Sequence, residues 1–572
     1  MAPPGSPNLG AGHLWRRPVL QVIVPSVSHE RDRYASVSAG TPSPDTIHAH
    51  GASDAVARYG VRFADLRRRL VPAAGRPHME EIRAPFTGEI LAHVPALGAE
   101  EAQAAVGRAR VASEAWRATP SRRRAKILER FQDLVLEGQD EILDIVQLET
   151  GKARAHAFEE VVDVAVTAAY YVNRAPGLLQ PRRRRGVIPG LTRVTELRRP
   201  RGVVGIIAPW NYPLSLGATD AIPALLAGNA VVLKPDQQTT HTALWIAEKL
   251  SLAGLAEGLF QVLPGSGPEA GAALVEHADY LSFTGSTATG RIVAAAAGGT
   301  LTGASLELGG KNAMIVRGDA DLEKAVEGAL QGCFANAGQL CISIERIYVH
   351  RSIHDRFLSR FTQRTAGLRL GNGLDWGYDV GSLSSAAQLE KVSELVDDAV
   401  ARGVTIRTGG RPRPEVGPWY YEPTVLTGVT PEMRVHSEET FGPVAAVRPF
   451  ESDDEAVSLA NDSPYGLNAS VWSRDSEAAF ALASRIEAGT VNINEAYAAA
   501  WGSVDAPMGG MKDSGLGRRH GREGLLKYTQ TQTIAEQRGA SISEAIAWAR
   551  RPGGRRVTTA LLRSLRGFPG SR

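Results

Sequence analysis

Apolar residues fall into two kinds of run along this chain. From Glu100 to Trp116 the positions Ala102, Ala105, Val106, Ala109, Ala112 and Trp116 recur at helical spacing, and Leu128 to Val146 repeats that character. Gly151 suits the end of that helix, and another helix is predicted over Glu159–Val172. Then the period changes. Val203–Ala208, Ala230–Leu233, Phe260–Leu263 and Tyr280–Phe283 are short, continuous apolar runs. Such runs are strands buried on both faces. Helical patterns fill the gaps, with Ala243, Ile246, Ala247 and Leu250 on one face. A second series follows Glu307: Ala313–Val316, a helix over Leu322–Phe334, Glu345–Val349, a helix over Glu390–Ala401, and strands to about Val471. Strands alternating with helices predict parallel, doubly wound sheets, so the expected fold class is α/β with two α/β units.

Three stretches break this pattern. Pro181–Pro200 places Arg182–Arg185 and the alternating Thr192–Arg198 on either side of Gly186-Val187-Ile188-Pro189-Gly190, which predicts a β-hairpin. A projecting hairpin needs its edges covered, so it reads as an oligomerisation element, with a plain surface hairpin as the other reading. Residues 1–78 carry Ser, Pro, Gly and His clusters and little periodicity, and are expected to form a disordered N-terminal extension. Residues 537–572 form a basic C-terminal tail with Ile546, Trp548, Leu561, Leu562 and Leu565. A basic amphipathic helix is able to lie on a membrane. Packing on its own protein, or disorder, is the expectation here.

Composition narrows the class. The chain is 43% apolar and 22% charged, with a net charge of +3, too weak a surplus to indicate nucleic acid. No apolar run has transmembrane length. The two cysteines, Cys333 and Cys341, make neither a disulfide framework nor a metal cluster, and a reducing cytoplasm fits them.

Candidate chemistry gathers at the strand ends. Ligands of an open parallel sheet bind outside the carboxyl ends of its strands. Here those ends carry Trp210-Asn211, Lys234-Pro235-Asp236-Gln237, Pro264-Gly265-Ser266-Gly267 and Gly285-Ser286. The last precedes a helix whose N-terminus favours a phosphate. Together they point to a dinucleotide. Asn336-Ala337-Gly338-Gln339-Leu340-Cys341 sets a thiol behind small polar residues, with the carboxylate of Glu307 upstream. That pairing suggests covalent catalysis by a thiolate.

These segments, with Phe283–Ser286, Glu307-Leu308-Gly309-Gly310-Lys311, Glu438–Pro443, Asn461–Gly466, Gly489–Asn492 and Pro507–Gly510, occur in one order. The set resembles the NAD(P)-dependent aldehyde dehydrogenase superfamily over about residues 80–535. Cys341-Ile342-Ser343-Ile344-Glu345-Arg346 and Gly515–Gly521 look most like its actinobacterial succinate-semialdehyde dehydrogenase (NADP) branch. The resemblance implies a Rossmann-like cofactor domain (79–306, bearing the hairpin at 181–200), a catalytic domain (307–508), a returning segment (509–536), and a homo-oligomer, dimer or tetramer.

It further implies that Cys341 attacks a small aldehyde and that Asn211 and the Cys341 N–H hold the oxyanion. Hydride transfer then leaves a thioester, and Glu307 activates the water that hydrolyses it. Relatives that transfer the acyl group to coenzyme A lack that glutamate. Trp210, Asn211, Lys234, Pro235, Asp236, Gln237, Gly285, Ser286, Leu308, Glu439 and Phe441 match cofactor contacts, and Cys333 is structural. NADP is expected, with NAD possible: Gln237 replaces a glutamate that repels a 2′-phosphate, although Asp236 would repel one. Ala335 and Thr219 occupy positions where handlers of succinic semialdehyde carry arginine. A carboxylate then needs another arginine, such as Arg346 or one on a later loop. Uncharged aliphatic or aromatic aldehydes are the alternative substrates, and a non-catalytic binding protein of the same fold is the remote one.

Overall fold

The apolar runs pair as their composition dictates. The computed structural model describes residues 49–73, 75–186, 192–539 and 541–564. The first sheet has six strands, ordered Gly515–Leu516, Gly303–Glu307, Tyr280–Thr284, Val203–Ala208, Ala230–Pro235 and Phe260–Val262. All but Gly515–Leu516 run parallel. The chain starts centrally at Val203, builds outward through Ala230 and Phe260, then crosses to the other side at Tyr280. This reversal opens a crevice at the carboxyl ends beside Val203–Ala208, where such sheets bind ligands.

The second sheet has seven strands, ordered Thr405–Thr408, Thr424–Thr427, Val444–Phe450, Ile344–His350, Asn312–Val316, Asn468–Trp472 and Thr490–Ile493. Only Thr405–Thr408 is antiparallel. The helices pack on both sheets, and each unit has its own apolar core. Gly515–Leu516 returns from the second unit to pair with Leu306 and Glu307.

The hairpin forms as an antiparallel pair, Arg182–Arg185 with Thr192–Pro200, while its tip at 187–191 lies outside the described residues. Thr529–Gln537 joins as a third strand along the whole of Thr192–Pro200. Residues after Thr529 in that strand are exposed.

Three expectations need correction. Part of the supposed disordered extension is helical, over Ala49–Leu66, followed by a strand from His78; residues 1–48 lie outside the described residues. Tertiary packing supplies what local periodicity lacked: Phe63 and Leu66 are fully buried. Arg62 pairs with Glu141 at 2.6 Å and Glu248 at 2.5 Å. The long helix over 128–146 is two helices, Ser121–Glu137 and Gln139–Thr150, broken at Gly138, where a Cβ would stand 2.9 Å from the Trp245 ring. In the tail, Ile542–Ala549 and Gly554–Ser564 are helices that leave Ile542, Ile546, Trp548, Val557 and Leu562 exposed; Leu565 lies outside the described residues.

Candidate active site

Cys341 sits between the helix Leu322–Phe334 and the strand Ile344–His350. The chain turns through left-handed backbone at Asn336 (φ 50°), Ala337 (φ 54°) and Gly338 (φ 72°). Only Gly fits the last, because a Cβ there would lie 2.0 Å from the Gly442 carbonyl oxygen. Two alanine-sized or polar residues in that conformation are uncommon and mark a turn the surroundings enforce. Asn312 Nδ2 donates to the carbonyls of Cys341 (2.8 Å) and Ser343 (2.7 Å), fixing the thiol's segment to the neighbouring strand. The thiol is partly buried. Burial, with the charges of Glu439 and Glu307, pushes it up to about 12, while Arg519 pulls the other way. Cys333 lies wholly inside the second core.

Asn211 follows the strand Val203–Ala208 and meets the cysteine segment directly. Its Nδ2 donates to the Gln339 carbonyl at 3.1 Å, using one of two N–H bonds. Its own carbonyl accepts from Lys152 Nζ (2.6 Å) and Asn336 Nδ2 (3.1 Å). Lys152 in turn pairs at 2.5 Å with Glu160, which accepts the Leu214 and Ser215 N–H groups at the start of the helix Pro213–Leu226. Asn211 and Cys341 line one funnel enclosing about 540 Å³ of non-protein space, its open mouth included.

Glu307 ends the strand Gly303–Glu307 and is buried, with Oε1 lacking any hydrogen-bond partner among the described residues. Burial pushes its carboxyl up to about 7, against the pull of Arg519 and Lys527. Glu307 does not line the funnel, and its charge is felt at Cys341.

The candidate cofactor residues surround the crevice. Trp210 stands edge-on to Phe441, ring centres 5.6 Å apart. Gly285 donates its N–H to the Glu307 carbonyl at 3.1 Å, and Ser286 caps the helix Thr287–Gly299. Leu308 packs on Gly290, where a Cβ would come within 2.3 Å of it. Glu439 accepts from the Gly310 N–H at 2.8 Å, and burial pushes it up to about 7. Lys234 is buried and donates to the Pro235 carbonyl at 2.9 Å. Asp236 turns its carboxylate onto the Gln238 N–H at 3.0 Å. Gln237 Nε2 is buried without a partner among the described residues.

Arg346 does not enter the funnel. It donates to the carbonyls of Lys311, Leu459, Ala460 and Asp462 and to the Tyr348 hydroxyl, so all three of its nitrogens are engaged away from the funnel. The funnel instead holds Arg519, with Glu159, Asp163, Tyr212, Tyr497 and Trp501. Sequence reasoning gave none of these a role. Arg519 lay in a recognised segment, but nothing local distinguishes it from Arg518. Glu159 and Asp163 lie far upstream of Cys341 in the chain and meet it only through folding.

The model of the aldehyde dehydrogenase family matches residues 71–534. This chain belongs to the aldehyde dehydrogenase family. Among curated relatives, a protein of Mycolicibacterium smegmatis named "Putative succinate-semialdehyde dehydrogenase [NADP(+)]" is 50% identical over 490 residues, covering 85% of this chain and 94% of that protein. The glutarate-semialdehyde dehydrogenase of Pseudomonas aeruginosa is 37% identical over 459 residues, covering 79% and 93%. The aldehyde dehydrogenase fold is also that of a solved betaine aldehyde dehydrogenase mutant from Staphylococcus aureus in complex with NAD+. It has TM-score 0.79 and 34% identity, covering 82% of this chain and 96% of that one. The two sheets of this aldehyde dehydrogenase, each with its helices, are α/β units.

Proposed function

We propose that this aldehyde dehydrogenase oxidises a small aldehyde to its carboxylic acid with NADP, NAD being second choice, and that succinic semialdehyde, yielding succinate, is the substrate. The observation that carries the reaction is a partly buried thiol and a side-chain amide lining one funnel, with a carboxylate whose charge reaches that thiol and whose Oε1 has no partner among the described residues: Cys341, Asn211 and Glu307. In this reading the Cys341 thiol gives its proton to solvent water and its sulfur adds to the aldehyde carbon. The Asn211 amide and the Cys341 N–H hold the resulting oxyanion, each such donor being worth about 3–4 kcal/mol. A bound nicotinamide dinucleotide supplies the hydride acceptor that oxidation requires. The sulfur is left bearing an acyl group as a thioester. Glu307 then takes a proton from water, the water oxygen bonds to the acyl carbon, the C–S bond breaks, and the acid departs. A carboxyl pushed up to about 7 suits a base working near neutral pH.

Trp210, Lys234, Pro235, Gln237, Gly285, Ser286, Leu308, Glu439 and Phe441 would hold the dinucleotide. The orphaned Gln237 amide and the capped helix start at Ser286 fit a polar, anionic guest. NADP is favoured because Gln237 carries no charge and Asp236 spends its carboxylate on backbone. The relatives named for succinate semialdehyde are also named for NADP(+). The exposed strand Thr529–Gln537 supports a homo-oligomer built through the three-stranded sheet.

Absorbance at 340 nm, with succinic semialdehyde or butanal and either cofactor, tests the proposal. Reduction that disappears in Cys341→Ala is expected. No reduction with any aldehyde would sink the reaction, and faster turnover with NAD would overturn the cofactor preference.

A further inference from the structure

We propose that Arg519 is the specificity residue that holds the distal carboxylate of the substrate, which makes short aldehydes ending in a carboxylate the substrate class of this funnel. The inference rests on the proposed oxidation at Cys341 and deepens it.

A carboxylate entering a half-buried funnel loses water and needs charge-assisted donors in return. Ala335 and Thr219 supply no charge, and the Arg346 fork is spent on carbonyls. Arg519 lines the funnel together with Cys341 and Asn211. Its side chain is 12% exposed, so it is sheltered but reachable. Nη2 donates to Asp220 Oδ2 at 2.8 Å and to Thr219 Oγ1 at 3.3 Å. Nε and Nη1 have no hydrogen-bond partner among the described residues, leaving donors for a guest.

The arginine is also held in place. Met508 and Arg519 exchange backbone hydrogen bonds of 2.9 and 2.6 Å, and Met508 lines the same funnel. Asp220 also accepts from Lys527 Nζ at 3.3 Å. Glu307 feels both cations as well, so Asp220, Glu307, Arg519 and Lys527 form one buried cluster, and what Arg519 offers a guest is its Nε and Nη1 donors rather than an uncompensated charge.

Two acids face the funnel as well. Glu159 accepts from the hydroxyls of Tyr212 and Tyr497, both at 3.1 Å, and Asp163 accepts from the Ser215 hydroxyl. Burial pushes them up to about 7 and about 6. Asp163 feels the Arg519 charge, so the acids and the arginine act on the same guest. If instead the acids governed selection, a cationic aldehyde would be preferred.

The experiment compares kcat/KM for succinic semialdehyde, butanal and 4-aminobutanal in wild type, Arg519→Lys and Arg519→Gln, with NADP saturating. Wild type is expected to prefer succinic semialdehyde over butanal by about 100-fold. That ratio should fall to near unity in Arg519→Gln, chiefly through KM, and recover in part in Arg519→Lys. The shared thioester chemistry divides out of the ratio. Because Arg519→Gln leaves Asp220 with one cation fewer, a measurement on wild type accompanies it: succinate should inhibit butanal oxidation competitively, and succinamide should not. A wild-type ratio near unity, a preference for 4-aminobutanal, or equal inhibition by succinate and succinamide would overturn the assignment of Arg519 while leaving aldehyde oxidation intact. Absence of activity on all three aldehydes would instead remove the proposed reaction itself.

Discussion

At the scale of single residues, the thiol and the carboxyl are both displaced from their ordinary ionisation by burial. Cys341 is pushed up to about 12 and Glu307 up to about 7. For Glu307 the sign has a kinetic consequence. A general base works only when deprotonated, so hydrolysis of the acyl group should be level above pH 7 and fall about tenfold per unit below it. Steady-state rates between pH 5.5 and 8.5 check this, and a flat profile would contradict it. Glu307→Gln should cut turnover by about 100-fold or more while keeping a single-turnover burst of reduced cofactor, read by stopped flow. A lost burst would place Glu307 before the hydrolysis. The residues Cys341, Glu307 and Asn211 were legible because each sits in a short segment of distinctive order. Arg519, Glu159 and Asp163 were not, because their meaning comes from which funnel the fold turns them into.

At the scale of elements, the helix Pro213–Leu226 shows how the site is braced. Glu160 receives its first N–H groups, and Lys152 bridges that carboxylate to the Asn211 carbonyl. All of this is fully buried on the Lys152 and Glu160 side. Removing one member of such a pair strands the other, so Lys152→Met should cost about 3–5 kcal/mol. Denaturant unfolding measures it, and Glu160→Gln in the same chain should restore part of the loss. No change in stability would mean that the pair is not a brace. The helix Ala49–Leu66 gives a second case. Phe63 is fully buried, its ring centre 4.1 Å from that of His241, and Phe63→Ala should cost about 3–5 kcal/mol. A shift below 1 kcal/mol would show that this helix is an appendage. Continuous apolar strands such as Val203–Ala208 were legible because burial on both faces leaves one composition. The helix Ala49–Leu66 was not, since its alanine- and glycine-rich sequence is organised by contacts with distant helices.

At the scale of the molecule, two open sheets are joined so that the charge of Glu307, at the carboxyl end of one strand, reaches Cys341, just before another. The chain then comes back through Gly515–Leu516 to pair with the strand that bears Glu307. The alternation of strands and helices foretold both sheets. It did not foretell their strand order, which depends on crossovers that no local pattern records. Nor did it show that Thr529–Gln537 would extend the hairpin sheet. In the proposed assembly that strand is covered by another subunit. Ile534, 49% exposed on it, is then a contact, and Ile534→Glu should shift the particle toward monomer in size-exclusion chromatography with light scattering. An unchanged mass would move the interface elsewhere.

The returning segment bears on how such a protein changes over time. Glu307 belongs to a strand near the middle of the chain, whereas Arg519 follows a two-residue edge strand beside it, much later. In the proposed reading, bond-making and guest selection are thus written in separate parts of the gene and brought side by side only by folding. A lineage that altered Arg519 alone, keeping the Gly515–Leu516 pairing that braces the Glu307 strand, would inherit the chemistry with a new diet, and a protein engineer has the same handle.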